Sequence, residues 1–201
     1  MADERGSVRW GRTGAYDGRT AGPWIALLLV LLLLGVVGLL APHVRAAPAF
    51  ALTTTGAEAG AAGRPQTVSL AGYAGKAVVL DFMAVGCTPC RAVAHDVMRP
   101  LWAAHANDTR MAFLSIDAWA DPTVAGWVPG AESTETLTIL QRDAHLPWPH
   151  ALDTDHVAVR YGADELPHVV VVSPRGLVLL DAAGVPTLQQ VQAALAEALA
   201  K

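Results

Sequence analysis

The sequence predicts an α/β domain with a mixed central sheet, helices on both faces and an N-terminal β-hairpin, carried behind one transmembrane helix. Three observations predict it. Strand-like and helix-like segments follow one another from residue 50 to the C-terminus in the order β-β-β-α-β-α-α-β-β-α. One of those strands, Ala77-Val78-Val79-Leu80, is apolar without interruption, as a strand covered on both faces requires. Ahead of them all, Trp24 to Ala41 is an unbroken run of 18 apolar or glycine residues.

As a helix that run measures about 27 Å, close to the ~30 Å hydrocarbon thickness of a bilayer. The residues before it carry Arg5, Arg9, Arg12 and Arg19 against Asp3, Glu4 and Asp17, whereas only Arg45 follows before Arg64. Basic residues favour the cytoplasmic side. Residues 1–23 are therefore expected as a cytoplasmic tail, 24–41 as a signal-anchor helix, and 47–201 as an extracytoplasmic domain of a single-pass cell-membrane protein. A cleaved signal peptide competes with the anchor, because Ala49-Phe50-Ala51 resembles a small-residue cleavage site. The length of the apolar run, beyond the ~7–15 residues of a signal peptide core, favours the anchor. Both readings export the domain.

The elements follow in order. Phe50–Thr54 and Thr67–Leu70 read as the two strands of a hairpin around an Ala/Gly-rich loop at 57–63. Gly75-Lys76 ends a turn before the strand Ala77–Phe82. Val93, Val97, Met98, Leu101 and Trp102 recur at helical spacing, with Pro100 expected to kink or divide that helix. Met111–Ile116 is the next strand, and a long loop with Trp119, Pro122, Trp127 and Pro129 follows. Ser133 reads as the N-cap of a helix to about Ala144. Trp148–Leu152 is extended and His156–Tyr161 is a short helix. Val169–Val172 and Leu177–Leu180 are strands joined by the turn Ser173-Pro174-Arg175-Gly176. Leu188–Leu199 closes the chain as an amphipathic helix.

The two cysteines of the chain lie in one motif, Cys87-Thr88-Pro89-Cys90, between the apolar strand and its helix. So short a loop removes little entropy from an unfolded chain, which makes a purely structural disulfide a poor reading. A helix N-terminus stabilises a thiolate on the first cysteine, the minimum equipment for thiol–disulfide exchange. Cys87 is the expected nucleophile and Cys90 the expected resolving thiol, while Pro89 stiffens the first helical turn, where a missing N–H costs nothing. Metal binding is the rival chemistry: Cys87 and Cys90 with His95 or His105 offer ligands for copper or zinc. No second CxxC completes a zinc site, and the other histidines are scattered. From Ala46 onward 15 acids face 9 bases, which argues against nucleic acid or an anionic membrane surface as partner.

The stretch Val79-Leu80-Asp81-Phe82-Met83-Ala84-Val85-Gly86-Cys87-Thr88-Pro89-Cys90-Arg91 resembles the active-site segment of thioredoxin-like proteins, and Leu166-Pro167-His168-Val169-Val170 resembles their second signature. The whole layout is similar to membrane-anchored thiol–disulfide oxidoreductases of the TlpA/ResA type. The resemblance implies a thioredoxin-like three-layer fold and a redox-active Cys87–Cys90 disulfide with no metal or organic cofactor. It implies a cis bond before Pro167, with Leu166 pairing its backbone to a bound polypeptide. Gly86, Thr88 and Pro89 would complete the substrate-facing surface. Asp81 stands where thioredoxins bury a carboxylate, and burial would suit it to accept the Cys90 proton; as a plain residue it reads equally as a strand-edge aspartate turned to solvent. Implied partners are protein disulfides, including apocytochrome c, and a membrane thiol donor of the CcdA/DsbD type.

Three departures bear on substrate. Gly86 and Met83 stand where relatives carry tryptophan, which implies a less aromatic and more open lip. His95 replaces a helix-kinking proline. Phe113 replaces the lysine that often accompanies the buried aspartate, which leaves Asp81 resting on desolvation alone. Trp119, Trp127 and Trp148 read as core cover more readily than as a peptide groove.

Overall fold

The computed structural model describes residues 26–32, 45–58 and 61–200. The chain divides into two units, 1–43 and 44–201, and the second carries the fold. Of the expected anchor only 26–32 is described, as helix; the rest of 24–41 and the cytoplasmic tail lie outside the described residues. No helix among the described residues is long and apolar enough to cross a membrane.

The elements are β1 (Ala51–Thr53), β2 (Thr67–Ser69), β3 (Ala77–Met83), α1 (Thr88–Val93), α2 (Arg99–His105), β4 (Met111–Asp117), α3 (Thr134–Asp143), β5 (His150–Leu152), α4 (Val157–Tyr161), β6 (His168–Val172), β7 (Val178–Ala183) and α5 (Leu188–Leu199). β1 and β2 pair antiparallel, as a hairpin should. The other strands form one sheet in the order β5-β4-β3-β6-β7, with β5, β4 and β3 parallel and β6 and β7 antiparallel. β3 is central, and all seven of its residues are buried. The extended segment at 148–152 turns out to contribute the parallel edge strand β5. The last strand begins one residue later than its leucine pattern suggests and runs on to Ala183, because pairing with β6 carries it through Asp181 and two alanines.

Strand alternation divides the core. Val78, Leu80 and Phe82 turn toward the hairpin residues Phe50 and Leu52 and toward Val157, Ala158 and Tyr161 of α4. Ala77 and Val79 turn the other way, against Val93, Val97, Met98 and Leu101 and against Val191, Leu195 and Ala198 of α5. This second face also receives Asp81, and it is the face that positions the site. α1 and α2 are joined by a π-helical turn, Ala94–Met98, in which the N–H of Arg99 reaches back to the carbonyl of Ala94. Pro100 follows at once, so the proline divides the helix through a π turn instead of a sharp bend. His95 stands in that turn.

Candidate active site

The strand β3 ends at Met83, and the loop Ala84–Gly86 delivers Cys87 as the N-cap of α1. Pro89 lies in the first turn, where a helix has spare N–H groups. Cys87 and Cys90 are joined as a disulfide with their Cα atoms 5.3 Å apart. The N–H of Cys90 donates to Cys87 Sγ at 3.2 Å. When the disulfide opens, that donor and the helix N-terminus favour a thiolate on Cys87. Both cysteines are buried, whereas Gly86, Thr88 and Pro89 are exposed around them. Leu137 of α3 packs into the same cluster as Met83, Ala84 and the two cysteines, with Leu166 and Trp119 against its edge.

Asp81 is 1% exposed, so the solvent-facing reading fails. Burial pushes its carboxyl up to about 7, and a hydrogen bond from Ser115 pulls in the opposite direction. The Ser115 hydroxyl donates to Asp81 Oδ2 at 2.8 Å, and the Trp148 indole N–H donates to Ser115 Oγ at 2.8 Å. That ordered pair occupies one carboxyl oxygen and leaves Oδ1 buried with no partner. The expectation that Asp81 rests on desolvation alone is thus corrected: the absent lysine is replaced by a serine one strand over, in direct register on β4. An oxygen held without a donor inside an apolar face is the place where a proton can be received. Asp81 lies two residues before Met83 on the side of the sheet that α1 covers, the side to which Cys90 also belongs.

The Leu166–Pro167 peptide is cis, as the resemblance implies. Pro167 is buried at the start of β6, and Leu166, half-buried, packs against the cysteine cluster.

The expectation of a less aromatic lip is corrected in one respect. Gly86 is exposed, and a Cβ there would stand in ordinary van der Waals contact with the Trp119 ring, 3.4 Å from Cζ3, so an indole flanks the place that a side chain at 86 would take. Trp119 follows β4 on a short 3₁₀ turn, its N–H donating to Asp117 Oδ1 (3.2 Å) and its indole N–H to the Ala125 carbonyl (2.7 Å). Gly126 lies flat beneath the ring: a Cβ there would sit 2.7 Å from Trp119 Cζ2, and its φ of +93° suits glycine. An aromatic neighbour is therefore supplied from a loop 33 positions along the chain from Gly86. Trp148, by contrast, is core, fully buried and stacked on His150. Nothing in the linear sequence pairs Gly86 with Trp119.

Two further carboxyls were not legible as site residues. Asp117 ends β4 beside Met83 in register, is 0% exposed, and its carboxyl is pushed up by burial and by the neighbouring carboxyl of Glu132. His95, a candidate ligand, is exposed and bonded to Asp96 (2.6 Å). Among the described residues no three His, Cys, Asp or Glu side chains gather around a common point, so the metal reading has only the two sulfurs to build on.

The family model for AhpC/TSA proteins matches residues 44–180. The chain belongs to the AhpC/TSA family. In this AhpC/TSA protein the matched segment takes in the hairpin, the CxxC, Asp81, the Trp119 loop and cis-Pro167. Family membership and the Cys87–Cys90 disulfide together make it a thioredoxin-like oxidoreductase. No curated protein matches it. Among solved structures, it is similar to a proposed thiol:disulfide interchange protein, DsbE, from Chlorobium tepidum, with 23% identity, TM-score 0.58, and 76% of this chain and 96% of that one covered. The thioredoxin domain of a thiol-disulfide oxidoreductase from Bacteroides vulgatus gives 21% identity, TM-score 0.56, and coverage of 74% and 94%. StoA from Bacillus subtilis gives 15%, 0.55, and 74% and 96%. At these identities the likeness is one of fold.

Proposed function

We propose that this AhpC/TSA-family chain is a membrane-tethered, extracytoplasmic reductase of protein disulfides. The observation that carries the reading is the buried Asp81 carboxyl, its Oδ2 committed to Ser115 and its Oδ1 open, on the sheet face behind Cys90. A structural disulfide needs no such group, and burying it unpaired is costly. In the reducing direction the Cys87 thiolate attacks one sulfur of a substrate disulfide, forming a mixed disulfide and releasing the other substrate sulfur as thiolate. Asp81 takes the proton of Cys90, whose sulfur attacks Cys87 Sγ. The substrate leaves with two thiols, and the enzyme holds the Cys87–Cys90 disulfide.

The lip formed by Gly86, Thr88, Pro89, Leu166 and Trp119 receives the substrate, and Leu166 offers its backbone to an extended polypeptide. The tether rests on the apolar run at 24–41 and the arginines before it. An exported reductase draws electrons across the membrane, which calls for a thiol donor of the CcdA/DsbD type. Apocytochrome c, with two cysteines that must be reduced before haem attachment, is the proposed client. Replacing Cys90 by serine tests this. The variant should accumulate a mixed disulfide through Cys87 with apocytochrome c or its assembly proteins. If it captures no protein while the wild-type domain binds Cu(I) stoichiometrically, the same cysteines belong to a copper carrier.

A further inference from the structure

A groove of about 920 Å³ lies on the Cys90 side of the dithiol, with walls from the cysteine-bearing helix and from α3. Gly86, Thr88, Pro89, Leu166 and Trp119, the residues of the substrate lip, do not line it. Its floor is Met83, Ala84, Cys90 and Leu146, all buried. Pockets of about 300–1,000 Å³ hold molecules the size of a drug or a lipid.

One wall runs from α1 through the π turn to the start of α2. Arg91, His95 and Arg99 recur every fourth residue along it, and all three line the groove. The π turn begins with Ala94, whose small side chain also lines this wall, and such turns are frequent at functional sites. The opposite wall is α3, with Ile139 exposed and Leu140 half-buried on the groove side. After α3 the chain turns at His145 (φ +55°) and brings Leu146 into the floor.

The charges that line the groove are Arg91, Arg99 and Asp143, a net of +1 with the histidines neutral. That is a local exception in a domain where 15 acids face 9 bases from Ala46 onward. Among the described residues neither arginine is paired with a carboxylate. Arg99 donates to the Ala144 carbonyl at 2.6 Å, which leaves most of its five donors uncommitted. His95 is bonded to Asp96, and His145 Nδ1 lies 3.1 Å from the Asp143 carbonyl. The two guanidiniums are therefore the cations with donors to offer.

An apolar floor calls for an apolar ligand body, and a guanidinium fork matches a carboxylate. A net of +1 suits one negative charge better than the near-double charge of a phosphate monoester. Both walls are helices, whose backbone groups bond internally. An extended polypeptide lying between them would find few partners for its own amides, whereas a hydrocarbon chain needs none. We propose that this groove binds a long-chain carboxylic acid. Its chain lies over Met83, Ala84 and Leu146 beside Cys90, and its carboxylate is held by Arg91 and Arg99. The site stands on the groove alone and is independent of the oxidoreductase reading.

The test uses the full-length protein in phosphatidylcholine nanodiscs, photolabelled with a palmitic acid that carries a diazirine near its chain end. Mass spectrometry of the peptides should place the label within 83–94 or 139–146. Excess dodecanoate should displace the probe, and dodecanol, the same chain without the charge, should not. Arg91→Gln should raise the half-saturating probe concentration about tenfold, the loss expected for one charge-assisted hydrogen bond, and Arg91→Lys by less. Ile139→Glu sets a second carboxylate at the groove wall and should abolish labelling there. Arg91 and Ile139 are both exposed, so neither substitution opens the core. Absent label, or label confined to the apolar run at 24–41 or to the lip around Trp119 and Leu166, overturns the proposal. So does labelling that survives Ile139→Glu, or displacement by dodecanol or dodecyl phosphate at least as strong as by dodecanoate.

Discussion

Asp81→Asn removes an ionisable group from a site where charge is penalised, and its effect on stability has a sign and a pH window. The carboxyl moves from an ordinary 3.8 to about 7 on folding. The folded protein therefore keeps a proton that the unfolded chain releases, and stability falls as pH rises through that window, by about 1.4 kcal/mol per pH unit. Above pH 7 the accumulated penalty is roughly 4 kcal/mol. Asparagine carries none of it. The amide retains an oxygen for the Ser115 hydroxyl, but its NH₂ stands where Oδ1 meets no partner, a cost of about 1–2 kcal/mol at every pH. The variant should thus be about 1–2 kcal/mol less stable than wild type at pH 4 and about 2–3 kcal/mol more stable at pH 8. His150, buried and held down to about 4 by desolvation, adds an opposite slope below pH 6.5. That slope is present in both proteins and cancels in the difference. Urea unfolding of the oxidised forms across pH 4–8 reads this directly, with the curves crossing in mid-range. In thermal unfolding each kcal/mol is worth ~2–4 °C for a domain of this size. Resolution of the mixed disulfide by Cys90 should slow by about 10²-fold near pH 7. Parallel stability curves over the whole range would refute the buried, proton-holding Asp81, and an unchanged resolution rate would refute its role as base.

Other outcomes follow from the same geometry. Ser115→Ala takes away the one hydrogen bond that lowers the Asp81 carboxyl, so the pH midpoint of the resolution step should move upward. Gly126→Ala forces a Cβ against the Trp119 ring at a positive φ, and should cost roughly 1–3 kcal/mol in unfolding experiments while changing Trp119 fluorescence. Asp153→Ala strips α4 of the carboxylate that accepts from Val157 and Ala158 (both 2.8 Å), a loss of about 2–3 kcal/mol by denaturation. Gln141→Ala takes from the Thr55 hydroxyl its acceptor and from the Trp148 carbonyl one of two partners, His150 Nδ1 being the other, and should cost about 1–3 kcal/mol by denaturation.

What the sequence determined by itself was periodic or local. The apolar run Ala77–Leu80, the helical spacing from Val93 to Trp102 and the proline–glycine turn at Ser173–Gly176 each express a backbone preference within a few residues, and the elements follow them. Cys87 and Cys90 are separated by two residues, a spacing that offered either a small redox ring or a pair of metal ligands, and the redox disulfide and cis-Pro167 followed from the resemblance of the residues around them. Tertiary structure decided the matters that depend on strand register and loop return. Ser115 reaches Asp81 because β3 and β4 pair in parallel with those residues opposite each other. Trp119 comes to lie beside Gly86 because a long loop returns to the cysteines. No periodicity encodes contacts of that kind: they arise where segments distant in sequence share one buried volume, and burial is what turns ordinary carboxyls into groups that hold protons.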